Sequence, residues 1–156
     1  MSSGALTLLR YPGGKQRQLL SFAHMLPSDP DSYRSYLEPF VGGASVFFHI
    51  NPHKSVLSDV NPELIELYRG IRDHPDEIWD IYQSVPETKS AYYTIRKINP
   101  SIMDLPYRAA RILYLNRTCF RGCGDTTPRV ILMSDMAVRI GGGVSPINIF
   151  WKYQIV

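Results

Sequence analysis

The stretch that most constrains this chain is Tyr36-Leu-Glu-Pro-Phe-Val-Gly-Gly-Ala-Ser-Val-Phe-Phe48. It opens as a strand, turns on Gly42-Gly43 and continues as an apolar run suited to a helix. A glycine turn between strand and helix lets backbone amides approach a ligand, and the helix N-terminus adds partial positive charge. Glu38 stands out, because a carboxylate at the end of a buried strand is costly unless it meets a donor. A ligand ammonium or hydroxyl is one such donor. The turn alone is a weak signal, and the G-x-G-x-x-G of dinucleotide-binding folds is absent, since position 45 is Ser and position 47 is Phe.

A second stretch sharpens it. Ser55-Val-Leu-Ser-Asp-Val-Asn-Pro-Glu-Leu-Ile-Glu-Leu-Tyr68 reads as a short strand ending at Asp59, then a helix. In doubly wound folds an acid about 20 residues past the glycine turn takes ribose hydroxyls. Asp59 lies at about that distance; its alternative role is a strand-end or Asx-turn residue.

Around this centre the chain reads in order. Residues 6–12 are extended, and a helix follows Gly13-Gly14-Lys15 with Leu19, Phe22, Ala23 and Leu26 as its apolar stripe. Lys15 sits at the helix start, where the macrodipole disfavours a cation, so it is placed either for a ligand or simply in solvent. A Walker A loop is excluded, because position 9 is Leu and position 16 is Gln. Residues 27–35 are a loop by composition. Asn61 caps the helix after Asp59, Pro62 takes its first turn, and Leu64, Leu67, Tyr68 and Ile71 form its buried stripe.

From about residue 74 the strand signals stop. Ile78, Ile81, Tyr82 and Val85 keep helical spacing, residues 89–98 are aromatic-rich, and Ala109, Ile112, Leu113 and Asn116 share a face. Tyr92, Tyr93, Arg96, Lys97, Arg108, Arg111, Arg117 and Arg121 are the main basic and aromatic concentration. That mixture suits a nucleic acid or, equally, arginines snorkelling on a packed helix. Beyond residue 123 the pattern changes: Gly141-Gly-Gly143 interrupts it, no amphipathic period is clear, and the last ten residues are largely apolar.

Composition sets the outer limits. A chain of 156 residues, 44% hydrophobic, buries a core as one domain or as part of a larger one. A net charge of +3 and a pI near 8.9 permit a nucleic-acid partner without requiring it. Cys119 and Cys123 have no second pair and no adjacent His, so no metal site is expected and free thiols in a reducing cytoplasm are. No apolar run spans a membrane, and the N-terminus lacks the pattern of a signal peptide.

Four ordered motifs, Arg10-Tyr-Pro-Gly-Gly-Lys15, Leu37-Glu-Pro-Phe-Val-Gly-Gly-Ala-Ser45, Leu57-Ser-Asp-Val-Asn61 and Leu113-Tyr-Leu-Asn-Arg-Thr-Cys-Phe120, resemble the Dam-type (D12 class) adenine-specific DNA methyltransferases over residues 8–122. The resemblance implies methyl transfer from S-adenosylmethionine to the exocyclic N6 amine of adenine in double-stranded DNA. It implies that Tyr11 and Lys15 belong to an N-terminal cofactor motif. Glu38, Pro39, Phe40 and Gly42 are implied to hold the methionine part, and Asp59 the ribose. Phe120 is implied to enter the DNA stack, with Arg121 beside it at a DNA-contact position. The implied architecture is α/β: a Rossmann-like methyltransferase sheet, incomplete here. Residues 1–73 carry the cofactor-binding part, residues 74–122 a partial helical target-recognition insertion, and residues 123–156 a tail foreign to the family.

The family's catalytic Asp-Pro-Pro-Tyr is missing. Asp29-Pro-Asp is too early, and Ser145-Pro-Ile-Asn lacks the second proline and the aromatic. The expectation is therefore a cytoplasmic enzyme by family whose chain alone is inactive, with a non-catalytic S-adenosylmethionine- or DNA-binding module as the alternative. The family continues past its aromatic-X-Gly with a Trp or Tyr-Arg pair, an Asn, a Gly turn and Phe-Asn-Val. Read from the third base of each codon, with suitable synonymous codons, the run from Cys123 yields WRHNPEGNFNVRYGG. Residues 123–156 are thus expected to be translated out of the ancestral frame and to have low order.

Overall fold

The computed structural model describes Leu9, residues 15–118 and Asn148–Ile149. Tyr11, Phe120 and Arg121 lie outside the described residues, as does most of the tail.

Three short parallel strands form the sheet. β1 (Tyr36–Glu38) pairs with β2 (Ser55–Leu57), Tyr36 opposite Ser55 and Glu38 opposite Leu57. β3 (Asn148–Ile149) runs along the other side of β2, with Asn148 opposite Val56. Parallel neighbours need a crossover. Between β1 and β2 it is α2 (Ser45–Ile50), whose Ser45, Val46, Phe47 and Phe48 are all buried. Asn51, at φ 51°, stops that helix in the left-handed conformation, and Pro52 follows.

The other elements are helical. α1 (Gln16–Phe22) is shorter than its stripe suggests: Leu19 is buried, Phe22 and Ala23 are half-buried, and a 3-10 turn takes over at Ala23–Met25. α3 (Pro62–Asp73) starts as expected, with Asn61 Oδ1 accepting the Glu63 amide at 3.0 Å. Its core face includes all four expected residues, plus Ile65. Pro75 ends α3 and opens α4 (Pro75–Ser84), with Asp76 and Glu77 at the positive end. Thr88 caps α5 (Lys89–Lys97), and Asp104 caps α6 (Leu105–Arg117).

One hydrophobic cluster joins these parts. It runs from Leu9, Val41, Phe47 and Leu57 through Leu64–Ile71 of α3 to Ile78 and Tyr82 of α4 and Ala109, Leu113 and Tyr114 of α6. The cluster is continuous across residue 74. Gly70 sets the spacing: a Cβ there would stand 2.6 Å from the Ala109 Cβ and 2.9 Å from Ile78 Cδ1.

Candidate functional site

Of the expected site residues, Glu38, Pro39, Phe40, Gly42 and Asp59 lie at the carboxyl ends of β1 and β2, the edge where open parallel sheets bind ligands. Residues 39–44 turn there. Val41 donates its amide to the Ser58 carbonyl at 2.9 Å, and Ala44 closes a tight turn by donating to Val41 at 2.8 Å. Gly42 sits at φ 47° and Ala44 at φ 55°, both left-handed. At Gly42 the missing side chain makes that conformation cheap. At Ala44, which is 1% exposed, packing has to hold it.

Asp59 braces this turn from β2. Its Oδ2 accepts the Gly42 amide at 2.8 Å and its Oδ1 accepts the Asn61 amide at 2.9 Å. The Asx-turn role is therefore real, and the same carboxylate clasps the glycine turn 17 residues earlier. Each carboxylate oxygen accepts about two hydrogen bonds, so Asp59 keeps acceptor capacity for a ligand. Two further braces were not singled out in the sequence. Tyr68 donates its hydroxyl to the Gly42 carbonyl at 2.6 Å, and Ser58 Oγ donates to the Pro39 carbonyl at 3.0 Å. The signal for Tyr68 was a tyrosine inside an apolar stripe, whose hydroxyl needs a partner once buried.

Glu38, 7% exposed, finds its donors within the chain. The Tyr36 hydroxyl donates to Oε2 at 2.8 Å, and the Phe47 backbone amide also donates to the carboxylate. Phe47 is the third residue of α2, whose capping position is Ala44, a residue with no side-chain oxygen. The strand carboxylate thus supplies the cap that Ala44 cannot. Burial pushes the Glu38 carboxyl above its ordinary value, opposed by the Tyr36 hydrogen bond, the Lys15 charge and the Phe47 amide. Burial, together with the Glu38 charge and hydrogen bond, drives the Tyr36 hydroxyl upward.

Lys15, exposed and just ahead of α1, joins the group through its charge on Glu38. Pro39 and Phe40 are exposed beside the turn, Phe40 by 76%. Val60, after Asp59, is 62% exposed. The set is two carboxylates on adjacent strand ends, a fixed glycine turn between them, a nearby cation and bare apolar surface. Among the described residues no cluster of His, Cys, Asp and Glu could hold a metal ion, and no helix is long and apolar enough to cross a membrane.

These residues sit at one edge of a small parallel sheet flanked by helices, an architecture compatible with a methyltransferase domain. The family model for D12 class N6 adenine-specific DNA methyltransferase matches residues 11–126, and the chain belongs to that family. It is 38% identical over 118 residues to the Type II methyltransferase M.CviBI of Paramecium bursaria Chlorella virus NC1A, covering 74% of this chain and 44% of that protein. It is 32% identical to the Type II methyltransferase M1.LlaDCHI of Lactococcus lactis subsp. cremoris, covering 72% and 41%. It is 33% identical to the DNA adenine methylase of Vibrio cholerae serotype O1 (strain ATCC 39541), covering 73% and 41%. The chain spans about two fifths of the length of these relatives.

Proposed function

We propose that this chain provides the S-adenosylmethionine site, and part of the DNA contact, of an enzyme that methylates the N6 amine of adenine in double-stranded DNA. The single observation that carries the reading is the pairing of Glu38 and Asp59 across a glycine turn held by Asp59 just past β2 and by Tyr68 of α3. Their chemistry fits the cofactor. Glu38 is an acceptor for its ammonium, Asp59 keeps lone pairs for the ribose hydroxyls, and Pro39, Phe40 and Lys15 border the turn. Tyr11, which lies outside the described residues, is assigned to the same set by the family motif alone. When bound, the cofactor supplies an electrophilic methyl group; the chain's residues bind it and fix its orientation.

The family membership supports assigning residues 1–73 to an incomplete Rossmann-like cofactor unit and residues 74–122 to a helical DNA-recognition insertion. Phe120 and Arg121 are the proposed contacts to the DNA stack and its surroundings. The sequence contains no Asp-Pro-Pro-Tyr, the motif that would supply the acceptor pair for the adenine amine. By itself the chain is proposed to bind without transferring methyl. A wholly non-catalytic binding module is the second reading, favoured by the same missing motif.

Calorimetry with S-adenosylmethionine tests the cofactor site. Asp59→Ala removes both the turn brace and the acceptor, and affinity should fall at least about tenfold, the loss of one charged hydrogen bond. Binding unaffected by Asp59→Ala would remove Asp59 from the site.

A further inference from the structure

Helix α5 carries Lys89, Tyr93, Arg96 and Lys97 at i, i+4, i+7 and i+8, which share one face. All four are exposed. The helix holds no carboxylate, and Lys89 opens it at the end where a cation is disfavoured. Among the described residues, none of the three cations pairs with an acid. Arg96 and Lys97 lie in the last turn, which favours cations, while Lys89 gains nothing from the helix; the face presents three exposed cations and no acid.

The opposite face is lightly held. Ala91, Tyr92 and Ile95 pack against the core only in part, and no residue of α5 is buried. One tie comes from α6. Arg111 donates Nε to the Ile95 carbonyl at 3.1 Å and Nη2 to the Arg96 carbonyl at 3.0 Å. Its Nη1 stands 3.9 Å from Glu63 Oε1, and its side chain is 11% exposed. A guanidinium on the last carbonyls of a helix complements both the open acceptors and the dipole. Arg111 thus turns inward and fixes the end of α5 from which Arg96 and Lys97 project.

We propose that the outward face of α5 is a contact surface for the backbone of duplex DNA. Lys89, Arg96 and Lys97 meet phosphates, Tyr93 lies among them, and Arg111 is the positioning residue that holds the face in place. The proposal rests on the DNA reading above and adds a surface to it. The three cations spread over about 12 Å of helix axis, against one duplex charge per ~1.7 Å. Contacts of this kind position a protein without reading sequence.

Fluorescence anisotropy with a labelled duplex of about 20 base pairs, between about 50 and 200 mM salt, tests it. In the Lys89→Gln/Arg96→Gln/Lys97→Gln variant the salt slope should fall by about 2–3, near 0.9 per lost contact. The loss should be equal for duplexes of unrelated sequence, and S-adenosylmethionine affinity should not change. Arg111→Met should lower the slope in the wild-type background and have no further effect in the triple variant. If wild type binds duplex and the triple variant keeps the full slope, the surface is wrong while the DNA reading stands. If wild type fails to bind duplex, both fail. Additive loss from Arg111→Met would make Arg111 a contact or a general stabiliser and overturn its positioning role. Should Arg111→Met lose helix content by circular dichroism, Arg111→Lys takes its place: a point charge cannot fork across two carbonyls, so it must still lower the slope for the role to hold.

Discussion

At the scale of single residues, Glu38 carries an opposition between stability and binding. Its carboxyl is raised from 4.5 chiefly by burial, so the fold prefers it protonated. The stabilisation is complete below about 4.5 and is lost as pH rises through the raised value. Glu38→Gln removes the titration while keeping an oxygen for Tyr36 and Phe47. Thermal melts of the variant should therefore be flatter than wild type above about pH 4.5, with the midpoint at neutral pH equal or higher. Its S-adenosylmethionine affinity should drop at least about tenfold, because the ammonium loses its charged acceptor. An unchanged affinity would mean that Glu38 serves only α2. The sequence exposed part of this arrangement. Tyr36 lies two residues before Glu38 on a strand, hence on the same face, so their contact was readable. The Phe47 and Gly42 amides were not, because backbone donors leave no mark in the residue pattern and their partners are set by the crossover.

At the scale of elements, the 3.6-residue period carried most of the fold. α3 appeared with its cap, its proline and its stripe in place. α6 shows where period alone is insufficient. The sequence put Ala109, Ile112, Leu113 and Asn116 on one face, yet the buried face is Ala109, Ala110, Leu113 and Tyr114, with Ile112 and Asn116 only half-buried. α3, α4 and α5 all pack on this helix, so its buried arc is wider than that of a surface helix and centred elsewhere. The arginines beside that arc were ambiguous for the same reason. Arg108 pairs with Glu66 at 3.1 Å and Arg111 holds α5, so these two serve packing. The close approach of α3, α4 and α6 depends on Gly70. Gly70→Ala should gain up to about 1 kcal/mol of helix propensity and lose about 1–3 kcal/mol to overpacking against Ala109 and Ile78. The expected net effect is a lower midpoint in urea unfolding with an unchanged m-value. A variant as stable as wild type would show that the helices can separate at little cost.

For the whole molecule, the question is why a chain with the family's opening motifs in order lacks its catalytic tetrapeptide. The family match ends at residue 126, within a few residues of where the sequence pattern changes. The shifted reading of the following run is constrained by more than free codon choice. Met has one codon, and Ala codons begin GC, so Met136-Ala137 must give GGC, glycine, in the alternative frame. Likewise Phe150-Trp151-Lys152 must give Leu-Glu. A frame recovered from the third base of each codon is one from which a base has been lost, or two gained, near codon 123. We therefore propose that residues 123–156 are out of frame; even so, Asn148–Ile149 lies parallel to β2, since backbone pairing makes few demands on sequence. Sequencing the gene and its downstream DNA tests this directly: the shifted frame should continue without a stop codon into an Asp-Pro-Pro-Tyr. Restoring one base at codon 123 should then convert a chain that incorporates no labelled methyl into duplex DNA into one that does. Stop codons ahead of that motif, or methyl incorporation by the chain as it stands, would overturn the frameshift account. The first result would leave the non-catalytic binding module as the better reading; the second would require an acceptor site built from other residues.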